Sequence, residues 1–462
     1  MESVDLTSFV RTARSVKQTI NLPEKFRIEG LSIDSRTLKQ GDVFVAIRGE
    51  RFDGHNFIPR AIEAGASAIV IDEMGNSLEI LQNVPLIVTF NTVDFLLEFA
   101  GWYRKKFNIP VVGITGSTGK TTVKEMIAAV LEERFKVMKT QGNQNNFIGV
   151  SLTLLNLTSS TELAVIEMGT NHPGEIARLT WAVKPTHAAI SNIGRGHIGF
   201  FRSLEAIFQE KKSLPDGLSE GGVFFRNIDD EFLKKYHRKD IQIVDFGLNK
   251  NARYRANYLG ADEFGRVRFR VNDGPEIYLK IPGKHHMINA LLAAAVGSEL
   301  GIEPEQIRNG LESVEPPDKR MEFFKKAGVL FINDSYNANP ESLKAAIDLL
   351  CEIPLENEKK RYLVVGDMLE LGELSESLHR EIGKYLLNCP VDFVFGYGQY
   401  SRFICQEIED STTNRIQTRW FTRHEDIAYV LEKQLKPGDI VLLKGSRGMA
   451  VENVLTHLNL KG

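Results

Sequence analysis

The chain has few cysteines, almost no net charge and no long apolar run. Its three cysteines, Cys351, Cys389 and Cys405, are too few and too scattered for a disulfide framework or a zinc site, and they indicate thiols in a reducing compartment. Lysine and arginine number 57 and aspartate and glutamate 60, so no overall basic field draws the protein to nucleic acid. The longest apolar runs, such as 290–296, fall short of the roughly 20 residues of a membrane span.

The N-terminus also lacks a targeting signal, because Met1-Glu-Ser-Val-Asp-Leu6 carries acidic residues where a basic-then-apolar pattern would stand. The composition is ordinary for a globular protein, with 42% hydrophobic and 25% charged residues in a chain of 462. At roughly 150 residues per domain, that length predicts about three domains. We therefore expect a cytoplasmic protein with no nucleic-acid partner and no membrane insertion.

Strand and helix patterns divide the chain into three α/β units. Residues 1–92 combine short apolar runs with a helical stretch and predict a small α/β domain. Residues 93–316 contain a strand, a glycine-rich loop and further strand–helix pairs, which predicts a central P-loop-type ATPase domain with a mostly parallel sheet. Residues 317–462 alternate strands and helices, as in a Rossmann-like domain. Pro316-Pro317 is the predicted linker, because neither residue favours re-entry into a helix.

The segment 115–122 predicts a phosphate-binding loop. A buried strand feeds it and a helix follows, so several backbone N–H groups and the positive end of the helix dipole meet at one point. Lys120 offers a positive charge to the β- and γ-phosphates, and the Thr121 hydroxyl can bind Mg²⁺. Ile114 stands where the strict motif has glycine, so the loop is a variant, and the alternative is a glycine-rich turn with a chance Lys-Thr pair. The loop residues are Thr115, Gly116, Ser117, Thr118, Gly119, Lys120, Thr121 and Thr122.

Three further residues are candidates for a site beside this loop. Glu167 ends an apolar strand, and the carboxyl ends of parallel strands border the ligand crevice, where Mg²⁺ would bind an oxygen ligand. His197 follows the next strand at the same edge, and Lys211 comes fourteen positions later. Plain alternatives stay open for each of them: a strand-end acid in solvent, a loop histidine and a solvated helix face.

Together these residues resemble the Mur ligase family, the ATP-dependent amide ligases of peptidoglycan precursor synthesis. The resemblance covers essentially the whole chain. It includes the phosphate loop, the segment Gly142-Asn-Gln-Asn-Asn-Phe-Ile-Gly149 and the positions of Glu167, His197 and Lys211. The remaining matches are Pro282-Gly-Lys-His285, Asn289, Arg320-Met-Glu322 and Asp334.

Further stretches are similar to one member of this family in particular, the member that adds D-alanyl-D-alanine. They are 34–36 with 41–46 and 53–55, Asn333-Asp-Ser-Tyr-Asn-Ala-Asn-Pro340, Gly366-Asp-Met-Leu-Glu-Leu-Gly372 with Ser375 and His379, and Lys444-Gly-Ser-Arg447. The resemblance implies that ATP activates the carboxylate of a UDP-N-acetylmuramoyl-tripeptide as an acyl phosphate, which the dipeptide amine then attacks. A tripeptide-forming Mur ligase and folylpolyglutamate synthase are the alternatives among ligases. A nucleotide-dependent switch is the alternative outside them.

The resemblance also implies a role for each domain and site residue. Residues 1–92 would bind the UDP-sugar peptide, 93–316 would bind ATP, and 317–462 would bind the dipeptide and close over ATP. ATP would lie against the phosphate loop, Asn289, Arg320 and Asp334, and the substrate against Ser35, Arg36, Asn145 and Asn146. The catalytic residues would be Lys120, Glu167, His197 and Lys211. Two Mg²⁺ ions would be held by Thr121, Glu167, His197 and Lys211, the last as a carbamylated lysine.

The chain departs from the family pattern at three places, one of which is Ser151, near the position where proline is common after the Ile-Gly segment. His285-His286 stands where the family usually has His-Asn. Glu210-Lys211-Lys212-Ser213 stands where the family usually has Ala-Lys-x-Glu, so Lys212 remains an alternative to Lys211, which the spacing from His197 favours. We also expect the protein to act as a monomer on small-molecule substrates.

Overall fold

Runs of aliphatic and β-branched residues, covered on both faces, form the middle strands of three sheets. Each sheet and its helices make one α/β domain, so the predicted fold class and three-domain architecture are confirmed. The computed structural model describes residues 1–49, 52–72, 84–316, 319–412 and 415–460. Pro317 of the predicted linker lies outside these residues. No helix among them is long and apolar enough to cross a membrane.

The N-terminal domain is built from short elements. They are β1 (Val4–Asp5), α1 (Leu6–Val10), β2 (Val16–Ile20), β3 (Arg27–Ile28), β4 (Leu31–Ser32), β5 (Val43–Val45), α2 (Ile58–Glu63), β6 (Ala68–Ile71) and β7 (Leu86–Thr89). The main sheet has the order β2-β7-β6-β5-β4, in which β2 alone pairs antiparallel. The strands β1 and β3 form a separate antiparallel pair.

The central domain carries the largest sheet. Its elements are α3 (Thr92–Arg104), β8 (Val111–Thr115), α4 (Lys120–Glu132), β9 (Val137–Lys139), α5 (Phe147–Leu155), β10 (Leu163–Glu167), α6 (Glu175–Val183), β11 (His187–Ile190), α7 (Ile198–Phe201), α8 (Leu204–Asp216), β12 (Val223–Asn227), β13 (Gln242–Gly247), β14 (Tyr254–Ala261), β15 (Arg266–Val271), β16 (Glu276–Pro282), α9 (His285–Glu299) and α10 (Pro304–Ser313). The sheet order is β16-β15-β14-β13-β12-β11-β8-β10-β9. It is parallel except where β15 pairs with β14 and β16, which confirms the predicted mostly parallel sheet.

Neighbouring residues of each strand point to opposite sides of this central sheet. Both faces are therefore apolar, and helices cover both. Val111 packs into one hydrophobic cluster with helices α3, α5, α6 and α8, and Val112 packs into another with α4, α9 and α10. The predicted apolar face of α4 is buried in the second cluster. The loops that follow the carboxyl ends of the parallel strands border the region where sheets of this kind bind ligands.

The C-terminal domain contains a second mostly parallel sheet. Its elements are β17 (Glu322–Lys326), β18 (Val329–Asp334), α11 (Pro340–Glu352), β19 (Arg361–Gly366), α12 (Ser375–Leu386), β20 (Phe393–Tyr397), α13 (Arg402–Glu409), β21 (Gln417–Phe421), α14 (His424–Gln434), β22 (Ile440–Lys444) and α15 (Asn453–His457). The sheet order is β17-β18-β22-β19-β20-β21, with only β17 antiparallel to its neighbour. The carboxyl ends of β18, β19 and β22 face the phosphate loop of the central domain.

Candidate active site

A cleft of about 620 Å³ lies between the carboxyl end of the central sheet and the C-terminal domain. The central domain contributes the loop after β8, the ends of β10 and β11 and the start of α9, and the C-terminal domain contributes the segments that follow β18 and β19. The structure therefore brings together most of the predicted site. The predicted residues that line the cleft are Ser117, Thr118, Gly119, Lys120, Thr121, Thr122, Asn145, Asn146, Glu167, His197, Asn289, Arg320 and Asp334.

Two glycines allow the phosphate loop to take its shape. The loop leaves β8 after Thr115 and enters α4 at Lys120. Gly119, directly before the helix, has a φ of +75°, which favours glycine. Gly116 packs so closely that a Cβ there would lie 1.8 Å from Ser191 Oγ. The loop backbone is thus shaped, without any ligand, to present its N–H groups to an anion.

The Lys120 side chain folds back over this loop, and its Nζ donates a hydrogen bond to Gly116 O at 2.9 Å. Burial lowers the pKa of Lys120, and the nearby carboxylates of Glu167 and Glu370 oppose that shift. Arg320 from the C-terminal domain adds to the lowering, because its charge repels the ammonium group. A cation held in this place can bind the phosphates of a nucleotide.

Glu167 is the last residue of β10 and carries one buried oxygen without a partner. Its Oε1 accepts hydrogen bonds from Asn145 Nδ2 at 2.7 Å and from Thr121 Oγ1 at 3.3 Å. Its Oε2 is buried and has no hydrogen-bond partner. An unpartnered carboxylate oxygen beside a threonine hydroxyl and a phosphate loop fits a hard cation such as Mg²⁺.

His197 contacts Glu370, a residue that the sequence analysis did not assign to the site. His197 Nδ1 lies 2.5 Å from Glu370 Oε2, and this contact joins the central and C-terminal domains. Hydrogen bonding to His197 lowers the pKa of Glu370, and Lys120 adds to the effect. Glu370 belongs to the stretch Gly366–Gly372, whose similarity to one family member was the only available signal.

Lys211 is buried in α8 and is 2% exposed. Burial lowers the pKa of Lys211 far below its ordinary value, the positive charge of Lys120 lowers it further, and Glu210 opposes the shift. Lys212 points elsewhere, because its Nζ lies 3.5 Å from Asp216 Oδ2 one turn along the helix. Of the two lysines that the sequence left open, Lys211 is the one in the electrostatic range of the phosphate loop.

The predicted nucleotide residue Asn289 lies beside the phosphate loop, since a Cβ on Gly119 would be 3.2 Å from its side chain. Asn289 Nδ2 is 3.2 Å from His286 Nδ1, and the rings of His285 and His286 are 4.0 Å apart. Burial lowers the pKa of both histidines, that of His285 to about 4. The same part of the cleft receives two C-terminal residues: Arg320, stacked 4.0 Å from the Tyr336 ring, and Asp334, which is paired with Lys444.

The four predicted substrate residues fall in two separate places. Asn145 supports Glu167, and Asn146 caps α5 by accepting a hydrogen bond from Gly149 N at 2.8 Å. Both line the cleft. Ser35 is buried in the N-terminal domain, and Arg36 is exposed and paired with Asp34 at 2.7 Å. The structure does not bring these last two residues to the cleft between the central and C-terminal domains.

Among the described residues, no group of three or more His, Cys, Asp and Glu side chains is placed to hold a metal ion. The fit for Mg²⁺ rests on Glu167 Oε2 and the Thr121 hydroxyl. Mg²⁺ commonly binds through one or two protein oxygens and completes its shell with substrate phosphates and water. These two groups therefore match an ion that enters together with a nucleotide.

Comparison with known families and proteins covers nearly the full chain. The Mur ligase family catalytic domain matches residues 27–101, the Mur ligase middle domain matches 114–297, and the glutamate ligase domain of Mur ligases matches 319–447. The UDP-N-acetylmuramoyl-tripeptide–D-alanyl-D-alanine ligase of Bacillus subtilis is 37% identical over 453 residues, which is 96% of this chain and 97% of the relative. The ligase of the same name from Haemophilus influenzae is 34% identical over 98% of both chains.

Solved structures show the same relationship. A crystal structure of MurF from Acinetobacter baumannii superposes with a TM-score of 0.88 at 28% identity and covers 99% of both chains. The MurF ligase of Thermotoga maritima in complex with ADP has a TM-score of 0.81 at 31% identity, covering 93% of this chain and 96% of that one. Sequence and fold thus agree along the length of the molecule, and the chain belongs to the Mur ligase family of ATP-dependent ligases.

Proposed function

We propose that the protein joins D-alanyl-D-alanine to the terminal carboxylate of a UDP-N-acetylmuramoyl-tripeptide and converts ATP to ADP and phosphate. The product would be the pentapeptide precursor of peptidoglycan. The main support is the cleft itself, in which the phosphate loop and Glu167 of the central domain face Arg320 and Asp334 of the C-terminal domain. Relatives of that activity match nearly all of the chain, at 37% identity for the one from Bacillus subtilis.

The reaction needs cations, because a carboxylate must approach a triphosphate. A carboxylate oxygen of the tripeptide attacks the γ-phosphorus, and the bond to ADP breaks. The dipeptide nitrogen then attacks the acyl carbon, loses a proton and expels phosphate. Lys120 and Arg320 would reduce the repulsion between the negative groups and orient them, which is the main contribution of protein groups to phosphoryl transfer. Contact between the two domains would exclude water from the acyl phosphate.

Thr121 and Glu167 would hold one Mg²⁺ ion, and His197 would take part in a second site. Bound Mg²⁺ supplies charge neutralisation at the phosphate oxygens. The observation behind the first site is the buried, unpartnered Oε2 of Glu167. Asn145 would keep the Glu167 carboxylate in one orientation through its bond to Oε1.

Lys211 would complete the second metal site as a carbamate. A neutral amine can attack carbon dioxide and lose a proton, which leaves an anionic carboxylate on the side chain. Burial and the charge of Lys120 lower the pKa of Lys211, which favours the neutral amine that can react. Once formed, the carbamate anion would be stabilised by the positive charge of Lys120.

We also propose a role for each domain, which follows from the resemblance to the family. Residues 1–92 would bind the UDP end of the substrate, where Ser35 and Arg36 lie, residues 93–316 would bind ATP, and residues 317–462 would bind the dipeptide and close the cleft. We also propose that the protein acts as a monomer. The free thiols of the described residues and the use of ATP support a cytoplasmic enzyme.

The product mass tests this proposal directly. The purified protein is incubated with ATP, Mg²⁺, D-alanyl-D-alanine and UDP-N-acetylmuramoyl-tripeptide containing either diaminopimelate or lysine. We expect a product whose mass equals the sum of tripeptide precursor and dipeptide minus one water, formed together with one ADP. Release of ADP without both substrates would instead indicate a nucleotide-dependent switch, and a product formed with a single amino acid would indicate another ligase of the family.

A further inference from the structure

Glu370 enters the cleft from the C-terminal domain on a backbone that is held in an unfavourable conformation. Its φ is +64°, a region that side-chain-bearing residues rarely adopt. Gly199 N donates to Glu370 O at 2.9 Å, and a Cβ on Gly199 would lie 2.6 Å from that oxygen. Close packing against the central domain thus fixes where the side chain of residue 370 begins. A strained residue at a cleft suggests that its side chain has a function there.

The carboxylate of Glu370 is exposed in the cleft, with 44% of the side chain accessible. Its Oε2 contacts His197 Nδ1, and it acts electrostatically on Lys120, so it lies on the side of the cleft where phosphoryl transfer would take place. Leu369 beside it and Ala338 also line the cleft and give this side a small apolar surface. Such a surface suits the methyl groups of a short peptide.

Other carboxylates that line the cleft are already engaged. Asp334 is paired with Lys444, Glu341 accepts hydrogen bonds from Arg195, and Glu175 accepts them from the backbone of Asn171 and His172. Glu167 is the residue that fits Mg²⁺. Among the partners described for it, the carboxylate of Glu370 contacts only the ring of His197, so its negative charge can serve a cationic group that enters the cleft.

We propose that Glu370 binds the amino group of the incoming D-alanyl-D-alanine and orients it toward the activated carboxylate. This inference rests on the proposed function, because it assigns a subsite within that reaction. The amino group of a dipeptide is a cation in solution and needs an anionic partner in a cleft that contains Lys120, Arg320 and Lys444 and whose other carboxylates are engaged. Docking of the C-terminal domain would then complete the amine subsite as it closes the cleft.

The variant Glu370→Gln tests the assignment, because it keeps the shape and can still accept a hydrogen bond while it loses the charge. We expect the KM for D-alanyl-D-alanine to rise about 10- to 100-fold and the KM for ATP to stay within about twofold. Hydroxylamine, an uncharged nucleophile at mildly alkaline pH, should still trigger ADP release in the presence of the UDP-tripeptide. Glu370→Asp, which retains the carboxylate, should lie between wild type and Glu370→Gln.

Two matched variants separate binding from domain closure. Glu373→Gln changes an exposed glutamate three residues away and should leave all constants unchanged. Glu381→Gln removes an interdomain salt bridge outside the cleft and should impair the dipeptide and hydroxylamine reactions equally. If Glu370→Gln also impaired both reactions equally, or left the dipeptide KM unchanged, the assignment would be overturned. If the wild type released no ADP with tripeptide and dipeptide, the proposed function itself would fail, whatever the variants did.

Discussion

Arg195 of the central domain forms a bidentate salt bridge with Glu381 on α12 of the C-terminal domain. Arg195 Nη1 lies 2.6 Å from Glu381 Oε2, and Nη2 lies 3.0 Å from Oε1. Arg195 Nε also donates to Glu341 Oε1 on α11 at 2.7 Å. A single arginine, two residues before His197, therefore binds two helices of the other domain at the edge of the cleft.

We expect Arg195→Ala to weaken closure of the cleft. The pair is only partly exposed, with 20% and 37% of the two side chains accessible, so solvent screens it incompletely. If the closed cleft loses about 1–2 kcal/mol of stabilising free energy, kcat/KM for ATP should fall by about 5- to 30-fold. Steady-state kinetics with varied ATP measure this ratio. Lys344→Met is the control, since Lys344 binds Glu381 within the C-terminal domain, and an equal loss in that variant would contradict the closure role.

The same salt bridge makes the stability of the protein depend on pH in the acidic range. Hydrogen bonding to Arg195, with a further contribution from Lys344, lowers the pKa of Glu381 from 4.5 to about 2. A lowered carboxyl pKa means that the stabilisation is present above about pH 4.5 and is lost as the pH falls toward 2. We expect wild type to unfold at a higher temperature than Glu381→Gln at neutral pH. The difference should shrink over that acidic range, and a constant difference would argue against this linkage.

The phosphate loop and Glu167 could be predicted because both depend on the order of strands, glycines and helices along a short stretch of sequence. A strand, glycines and a helix within a few residues define an anion site, and a parallel sheet brings the carboxyl ends of neighbouring strands to one edge. The contact between His197 and Glu370 could not be predicted in this way, since it exists only when two domains meet. No periodicity in the sequence encodes that docking.

The sequence also does not predict which residues of a helix are buried or where an exposed edge strand lies. Lys211 and Lys212 are neighbours in sequence, and only the packing of α8 buries the first and leaves the second half-buried. The edge strand β21 is mostly half-exposed or exposed and contains polar residues, so it lacks the apolar run that marks β19 and β22. Parts of the fold that face solvent leave little hydrophobic signal in the sequence.

We expect Glu167→Gln to raise the Mg²⁺ requirement of the enzyme. The amide would keep the bond to Asn145 or Thr121 but would remove the negative charge from the buried Oε2 position. The Mg²⁺ concentration for half-maximal ADP release should increase at least about 10- to 100-fold. Glu162→Gln, at the residue directly before β10, is the matched control. An unchanged Mg²⁺ dependence in Glu167→Gln would remove this residue from the metal site.

Lys211→Ala should lose activity and recover part of it when a short carboxylic acid is added. The small acid would occupy the space of the missing carbamate and restore a carboxylate near Lys120. We expect a loss of at least about 100-fold, because a metal ligand would be missing. Lys212→Ala is the matched control and should stay close to wild type, as its partner is Asp216. Greater damage in Lys212→Ala, with no rescue of Lys211→Ala, would move the modification to residue 212.

His286→Asn should keep nucleotide binding and change the response to acid. An asparagine at this position can replace the contact between His286 Nδ1 and Asn289, so ATP affinity should stay within about threefold. Burial keeps the pKa of His286 well below 6.5 in the folded protein. As the pH falls, the unfolded chain therefore binds a proton at this histidine before the folded protein does, and the free energy of unfolding decreases. Thermal unfolding below pH 6.5 should therefore depend less steeply on pH in His286→Asn, with His285 responsible for the slope that remains down to about pH 4. Identical slopes in both proteins would show that His286 is protonated alike in the folded and unfolded states.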